Sequence, residues 1–357
     1  MKVCIIGNGL SSLALAKALV NQKIYVEIFT DKKKQILNQS RTIGITKNNI
    51  RYFNENILNI NKIIWPLKKI EIFTENLEKE ELLKFEDNHD QLFSIVKNSK
   101  LFEALEKSLN KNKYFKIISK QKKSLNYKDY DLVINLDFSN YITKKYFSNK
   151  ITKKYNNYAY VGLFRHKKIN NVVASQVFTK IGPLAFLPVS NIETSFVYSV
   201  NKNLNLTREN LISLINKHNY KYKIKLINKI NSFELLSLNL RSYYHKNILA
   251  FGDLIHKIHP LAGQGFNMTI RDIKILMQII KNKQDLGLTI DISVNEEFEN
   301  NMRHKNLIFS SGIDLIYEFF NLERKIKSKI LSKSIQFAGN QTYINNVLKN
   351  IADSGIA

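Results

Sequence analysis

Residues 249–267 read LAFGDLIHKIHPLAGQGFN, and their order decides the fold. Asn247 to Phe251 is an apolar run, read as a buried strand, that stops at Gly252-Asp253. An Asp at a strand end presents its carboxylate to hydroxyl donors. A loop then passes through Pro260, and Gly263-Gln264-Gly265 opens a helix expected over about Gly265 to Lys281. The two glycines leave room for a flat ring against the backbone. Amides at the helix start are placed to stabilise negative charge on such a ring. A plain glycine loop between strand and helix needs none of the Asp, the Pro or the Gln at these spacings, so their coincidence makes the stretch specific.

The N-terminus carries a second glycine turn. Val3 to Ile6 is an apolar strand ending at Gly7-Asn8-Gly9, residues 10–20 (LSSLALAKALV) read as a helix apolar on most faces, and Ile24 to Phe29 is another strand. Strand, glycine turn, helix and strand within some thirty residues open a dinucleotide-binding βαβ unit. In G-x-G-x-x-S, Gly7 permits the tight turn and Gly9 lets the backbone approach a pyrophosphate. Ser12 stands where a third glycine would give close helix–strand packing. Alone the motif is weak. At the end of the second strand, where an acid should meet a ribose, Thr30 stands in place with Asp31 after it.

Between these motifs, Ile70–Phe73 and Leu82–Phe85 alternate like strands, and residues 97–109 carry apolar side chains at helical spacing. Residues 131–135 form another apolar strand, and several strand-like runs follow from 158 to 200 without intervening helices. These imply a mostly antiparallel sheet in a second domain. The remainder reads as helices. The expected fold is therefore α/β, a Rossmann-like dinucleotide domain with an interleaved antiparallel sheet and a helical C-terminus. Its parts are 1–62, 96–145 and 241–285 for the first domain, 63–95 and 146–240 for the second, and 286–357 for the helices.

The chain has 357 residues, one cysteine and a formal charge of +25. Cys4 has no intramolecular disulfide partner, which fits a reducing compartment. The lysines are spread through nearly every segment, so the charge does not imply nucleic-acid binding, and attraction to an anionic membrane surface suits it better. No apolar run reaches the roughly 20 residues of a bilayer span. Gly7, Asn8 and Gly9 interrupt the apolar N-terminus, which reads as a strand and not a signal peptide.

The string Gly252-Asp253, His256, His259-Pro260-Leu261-Ala262-Gly263-Gln264-Gly265-Phe266-Asn267, with Arg271-Asp272, resembles the second FAD fingerprint of the para-hydroxybenzoate hydroxylase superfamily, in its ubiquinone-biosynthesis branch. Ser40-Arg41-Thr42-Ile43-Gly44-Ile45 is similar to the branch's Arg-containing segment. Gln176-Val177-Phe178 and Gly182-Pro183-Leu184-Ala185-Phe186-Leu187-Pro188 are similar to its substrate-domain signature. The resemblance implies FAD as cofactor and no metal. Gly7, Gly9, Ser12, Asp31 and Arg41 would serve the pyrophosphate and nucleotide, and Asp253 the ribityl chain. Pro260, Gly263, Gln264, Gly265 and Asn267 would frame the isoalloxazine, the first four as the flavin-facing catalytic loop with no acid or base assigned.

The implied reaction is hydroxylation of a polyprenylated phenol in ubiquinone biosynthesis with O2, through a flavin C4a-hydroperoxide. It draws electrons from NAD(P)H or a redox protein, beside other quinone-biosynthesis proteins. The implied place is cytoplasmic, peripheral on the inner face of the membrane; residues 322–337 read either as an amphipathic docking stretch or as an amphipathic helix facing the core. His256 and His259 are expected to shape the loop, and Trp65 to be core. The middle fingerprint departs: in LVINLDFSNYITK (132–144), Phe138 replaces a glycine after Asp137 and no Arg follows closely. A prenyl-reducing flavoprotein and a non-catalytic FAD-binding subunit remain open alternatives.

Overall fold

Val3, Cys4, Ile5 and Ile6 are all buried, as a strand needs to be when it lies inside a parallel sheet covered on both faces. The computed structural model describes residues 1–30, 40–77, 80–87, 91–119, 126–204, 206–260, 263–326 and 329–341; the side chains of 324–331 and 338–340 are outside that description. Along the first sheet run Tyr244–His245, Ile248–Ala250, Leu132–Asn135, Lys2–Ile6, Tyr25–Thr30 and Phe115–Ser119. All pairs are parallel except the first. Burial pushes the Cys4 thiol up to about 12, with nearby Glu27 adding to the effect, so the thiolate is suppressed.

The helices are α1 (Leu10–Asn21), α2 (Lys47–Asn56), α3 (Asn98–Leu109), α4 (Tyr141–Tyr146), α5 (Arg208–Lys217), α6 (Gly265–Asp285), α7 (Ile292–Ile326) and α8 (Lys329–Asn340). α1 packs against both α3 and α6. Its small, apolar residues Ala14, Leu15, Ala16 and Leu19 are buried there.

The second sheet is mostly antiparallel. Its order is His256–Lys257, Asn231–Leu240, Lys150–His166, Glu193–Asn201, Gly182–Ser190, Val173–Thr179, Lys69–Thr74 and Glu81–Glu86, with Ile224–Ile227 beside Lys150–His166. Val173–Thr179 and Lys69–Thr74 pair in parallel, a join between distant segments. A third, antiparallel sheet of Thr42–Thr46, Phe93–Lys97 and Ile64–Leu67 was not anticipated. Its strands are too far apart in the chain for periodicity to pair them.

Trp65 belongs to that third sheet. Its indole donates to the Asn171 carbonyl at 2.7 Å, and the ring packs in a small cluster with Leu67 and Ile95. The helical C-terminus covers the second sheet through Phe178 and Phe320, whose rings stack with centroids 3.8 Å apart. Of the apolar positions on α7, Phe309, Ile313 and Phe320 are buried, whereas Ile308, Ile316 and Phe319 stay exposed. In residues 322–337, Ile335 faces the protein and not solvent. Ile326, Ile330 and Leu331, with Lys325, Lys327 and Lys329, lie outside the described side chains.

Gly182 holds φ +152°, and a Cβ there would overlap the Ser199 carbonyl oxygen of the adjacent strand. Backbone cannot yield as a side chain can. Gly182→Ala is expected to destabilise the chain by about 2–5 kcal/mol, combining strain and overpacking. Urea unfolding will show this as a lower midpoint.

Candidate functional site

Three neighbouring parallel strands end side by side. After Ile6 comes Gly7-Asn8-Gly9, after Asn135 comes Leu136-Asp137-Phe138, and after Ala250 comes Phe251-Gly252-Asp253. In open α/β sheets the ligand crevice lies beyond such carboxyl ends. Gly7 has φ +105°, its N–H donates to the Phe29 carbonyl at 3.0 Å, and a Cβ would lie 3.5 Å from the Cβ of Asp137. Gly7 thus shapes the turn. Gly252, at φ +62°, leaves 3.3 Å to Leu136 Cδ2 and 3.5 Å to Ser11 Cβ from the place a Cβ would take. The turn of one motif is packed against the turn of the other.

A single cavity of about 1280 Å³ opens there. Gly9, Ser12, Arg41, Asp253, Pro260, Gly263, Gln264, Gly265 and Asn267 all line it. Most of the residues expected at the site are therefore brought together. Gly7 stands behind the wall, and Asp31 lies outside the described residues. Thr30 is buried at its strand end and does not line the cavity. Ser12 is buried, small enough for α1 to start close to the sheet.

Both α1 and α6 begin on this cavity. Neither start is capped by a side chain, and neither has an acid in its first turn. Free N–H groups and positive dipole ends therefore converge on the same space. A Cβ at Gly9 or Gly265 would meet nothing within 4 Å. The backbone is bare at the two places where a pyrophosphate and a flat ring need close approach. Gly263, at φ +64°, lies 3.7 Å from the Gly44 nitrogen when given a Cβ, so the loop is seated directly on the strand Thr42–Thr46.

Asn267 makes that seating specific. Its amide nitrogen donates to the Gly44 carbonyl at 2.9 Å and the Gly263 carbonyl at 3.3 Å. Its oxygen accepts from the Thr46 N–H and from the Asn49 amide, both at 3.0 Å. Every polar valence of this buried side chain is used on protein. Gln264 is likewise held: its oxygen accepts from Arg271 at 3.4 Å, and the Arg271 guanidinium lies 4.5 Å from the Phe309 ring centre.

The two histidines are buried. His256 Nε2 is bonded to Asp272, whose other oxygen accepts from Asn306 at 3.1 Å. His259 sits between Tyr155 and Tyr317, with ring centres 4.9 and 4.4 Å away. Burial, with some help from Lys153, lowers its pKa to about 3. Both residues also line the cavity.

Phe138 lines the cavity and is 42% exposed, while Asp137 turns away to accept from the Ser139 N–H at 2.8 Å and its hydroxyl at 2.7 Å. Much of the rest of the cavity is apolar, although Lys47, Asp87, Gln91, Asn98 and Gln176 also line it. Phe178, Phe233, Phe309, Phe319 and Phe320 wall it, and no tyrosine does among the described residues. These phenylalanines were not assigned to the site from sequence, because helical and strand periodicity marks a core position and a cavity wall identically.

The cavity volume exceeds the roughly 300–1,000 Å³ usual for a drug-sized ligand. It is suited to an extended dinucleotide with a second molecule beside it. The bare glycines, the two helix starts and Asp253 fit FAD.

This architecture is the fold of the FAD-dependent monooxygenases. p-Nitrophenol 4-monooxygenase PnpA from Pseudomonas putida DLL-E4 superposes with TM-score 0.79 over 99% of this chain and 98% of its own, at 11% identity. Klebsiella pneumoniae HpxO, complexed with FAD and uric acid, gives TM-score 0.75 over 99% and 97% at 13% identity. In sequence, the chain is similar to 3-demethoxyubiquinol 3-hydroxylase of Escherichia coli (strain K12), 29% identical over 154 residues, 41% of this chain and 39% of that protein. It is also similar to the mitochondrial ubiquinone biosynthesis monooxygenase COQ6 of Schizosaccharomyces pombe, 23% identical over 276 residues, 63% of this chain and 57% of the relative. The matched part is thus less than two thirds of either relative's length. No family model matches. The likeness to the ubiquinone-biosynthesis branch read from the motifs is met by these named relatives.

Two outcomes follow from the geometry. Asn267→Ala strands the Thr46 N–H and the Gly44 carbonyl, and is expected to cost about 2–4 kcal/mol in urea unfolding, from two buried groups left unmade. The second concerns acid. His259 takes a proton near 3 when folded and near its ordinary 6.5 when unfolded, so between those values the unfolded chain binds more protons. Stability falls as pH drops through that window, by up to about 1.4 kcal/mol per pH unit. His259→Phe keeps the ring packing and should flatten this part of the acid limb relative to the parent chain.

Proposed function

We propose that this chain is an FAD-dependent monooxygenase that hydroxylates the aromatic ring of a polyprenylated phenol in quinone biosynthesis, with O2 as co-substrate. The observation that carries the reading is one cavity on which two uncapped helix starts, two bare glycines and Asp253 converge, continued by walls of phenylalanine. The named relatives support the quinone pathway, and reducing equivalents would come from a separate donor, NAD(P)H or a redox protein.

The segments 1–62, 96–145 and 241–285 carry the cofactor, and 63–95 with 146–240 cover the substrate. Gly9 and the α1 start receive the pyrophosphate, with Arg41 as its cationic neighbour. Asp253 accepts from the ribityl hydroxyls. Pro260, Gly263, Gln264 and Gly265 hold the isoalloxazine plane, and the α6 dipole stabilises charge at its edge. When bound, the flavin supplies electron storage and oxygen activation. The protein orients the substrate ring and keeps water out, which the apolar walls do. No side-chain acid or base is assigned. A phenol ring is already electron-rich, so positioning and water exclusion are the protein's main tasks.

The purified chain should be yellow, and it should consume O2 with a prenylated phenol and an electron donor. Deletion of the gene should leave a lipid-soluble intermediate one oxygen atom short, by mass spectrometry. A normal quinone profile, or an intermediate differing only in prenyl saturation, overturns the reading. Asp253→Ala removes a charge-assisted acceptor worth about 1.5–3 kcal/mol. FAD affinity by fluorescence titration should fall about 10- to 100-fold with the fold intact.

A further inference from the structure

The outer side of α7 is apolar where a helix covering a sheet should be polar. Ile308 is 54% exposed, Leu315 72%, Phe319 40% and Leu322 51%. Their spacings of seven, four and three residues put them in one stripe. The charged residues between them are already engaged: Asp314 accepts from the Tyr155 hydroxyl, and Glu318 pairs with Lys153 at 2.9 Å. Isolated apolar residues on a surface need no explanation, but four on one helix face, broken only at Ser311 and Gly312, point to an interaction site.

The middle of this stripe also rims the cavity. Leu315 and Phe319 line it while facing solvent, beside Ile316, and the wall continues inward through Phe309 and Phe320. An apolar path therefore leads from the outer face of α7 to the space beside Gly263 and Gly265. Lysines accompany it: Lys305 lies one turn before Ile308, and Lys333 one turn before the exposed Phe337 on α8.

We propose that the outer face of α7 docks on an anionic lipid bilayer, so that the cavity rim opens into the membrane. Charge selects this occupant. With a formal charge of +25, two copies of this chain repel one another across such a face, whereas anionic headgroups attract the flanking lysines. The apolar stripe then enters the headgroup–acyl boundary, as interfacial helices do. The purpose of the docking rests on the prenylated-substrate reading above: a lipid-dissolved molecule reaches the cavity without crossing water. The face overlaps the 322–337 stretch expected from sequence only at Leu322, Lys333 and Phe337, since Ile335 turns inward and most of the stripe lies upstream.

The test is flotation of the full chain with vesicles of phosphatidylcholine containing phosphatidylglycerol, against phosphatidylcholine alone. Ile308→Glu and Leu322→Glu, together, change the stripe without touching any cavity-lining residue. The parent chain should float with the anionic vesicles, and the double variant at least about tenfold less. A parent chain that stays at the bottom, or a double variant that floats equally, overturns the proposal. So does a parent dimer in sedimentation that the double variant splits without lipid, since the stripe is then a self-interface. The flavin spectrum of each fraction separates the two readings. A colourless chain that floats keeps the docking face and rejects the cofactor, and a yellow chain that stays down does the reverse.

Discussion

The amide of Asn267 is the constraint on which the site depends. One buried side chain, through four hydrogen bonds, ties the Gly263 loop, the α6 start and the strand Thr42–Thr46 together. Each bond alone is worth only about 1 kcal/mol. Their joint effect is geometric: with donor and acceptor capacity both filled, the loop has one seating. The bare backbone at Gly265 is useful only because that seating holds it open.

Around this fastening much of the electrostatics is built from backbone, beside the charged side chains of Arg41 and Asp253. The α1 and α6 starts bring unpaired N–H groups to the same cavity. Fixed dipoles in a largely apolar enclosure act more strongly than they would in water and need no reorganisation when charge develops. The buried His256–Asp272–Asn306 chain supports α6 from behind. Its bonds run from His256 through α6 to α7, while His256 Nδ1 is buried without a hydrogen-bond partner among the described residues.

The departures from the resembling family's pattern acquire local reasons. Ser12 is buried where a glycine would be, and α1 still packs closely. Asp137 remains, but as the acceptor that closes its own turn onto Ser139. Phe138 places a ring at the cavity wall where the family pattern has a glycine. The consequence is a more apolar wall, not a broken turn.

Local chemistry in the sequence determined the βαβ opening, the strand ending at Gly252-Asp253 and the helix that starts at Gly265. Each is written in contiguous residues through period, glycine conformation and helix-start geometry. The same locality identified Gly9, Asp253 and the Pro260–Asn267 loop as candidates. Only the tertiary structure decided that Thr42–Thr46 forms a sheet with Phe93–Lys97 and Ile64–Leu67, that Gly7 backs the wall, and that Asn267 is a clamp. Those outcomes depend on partners tens to hundreds of residues apart in the chain. An apolar residue at helical spacing also reads alike whether it meets a core, a cavity or solvent, so the split between buried Phe320 and exposed Leu315 on one helix was settled by packing alone.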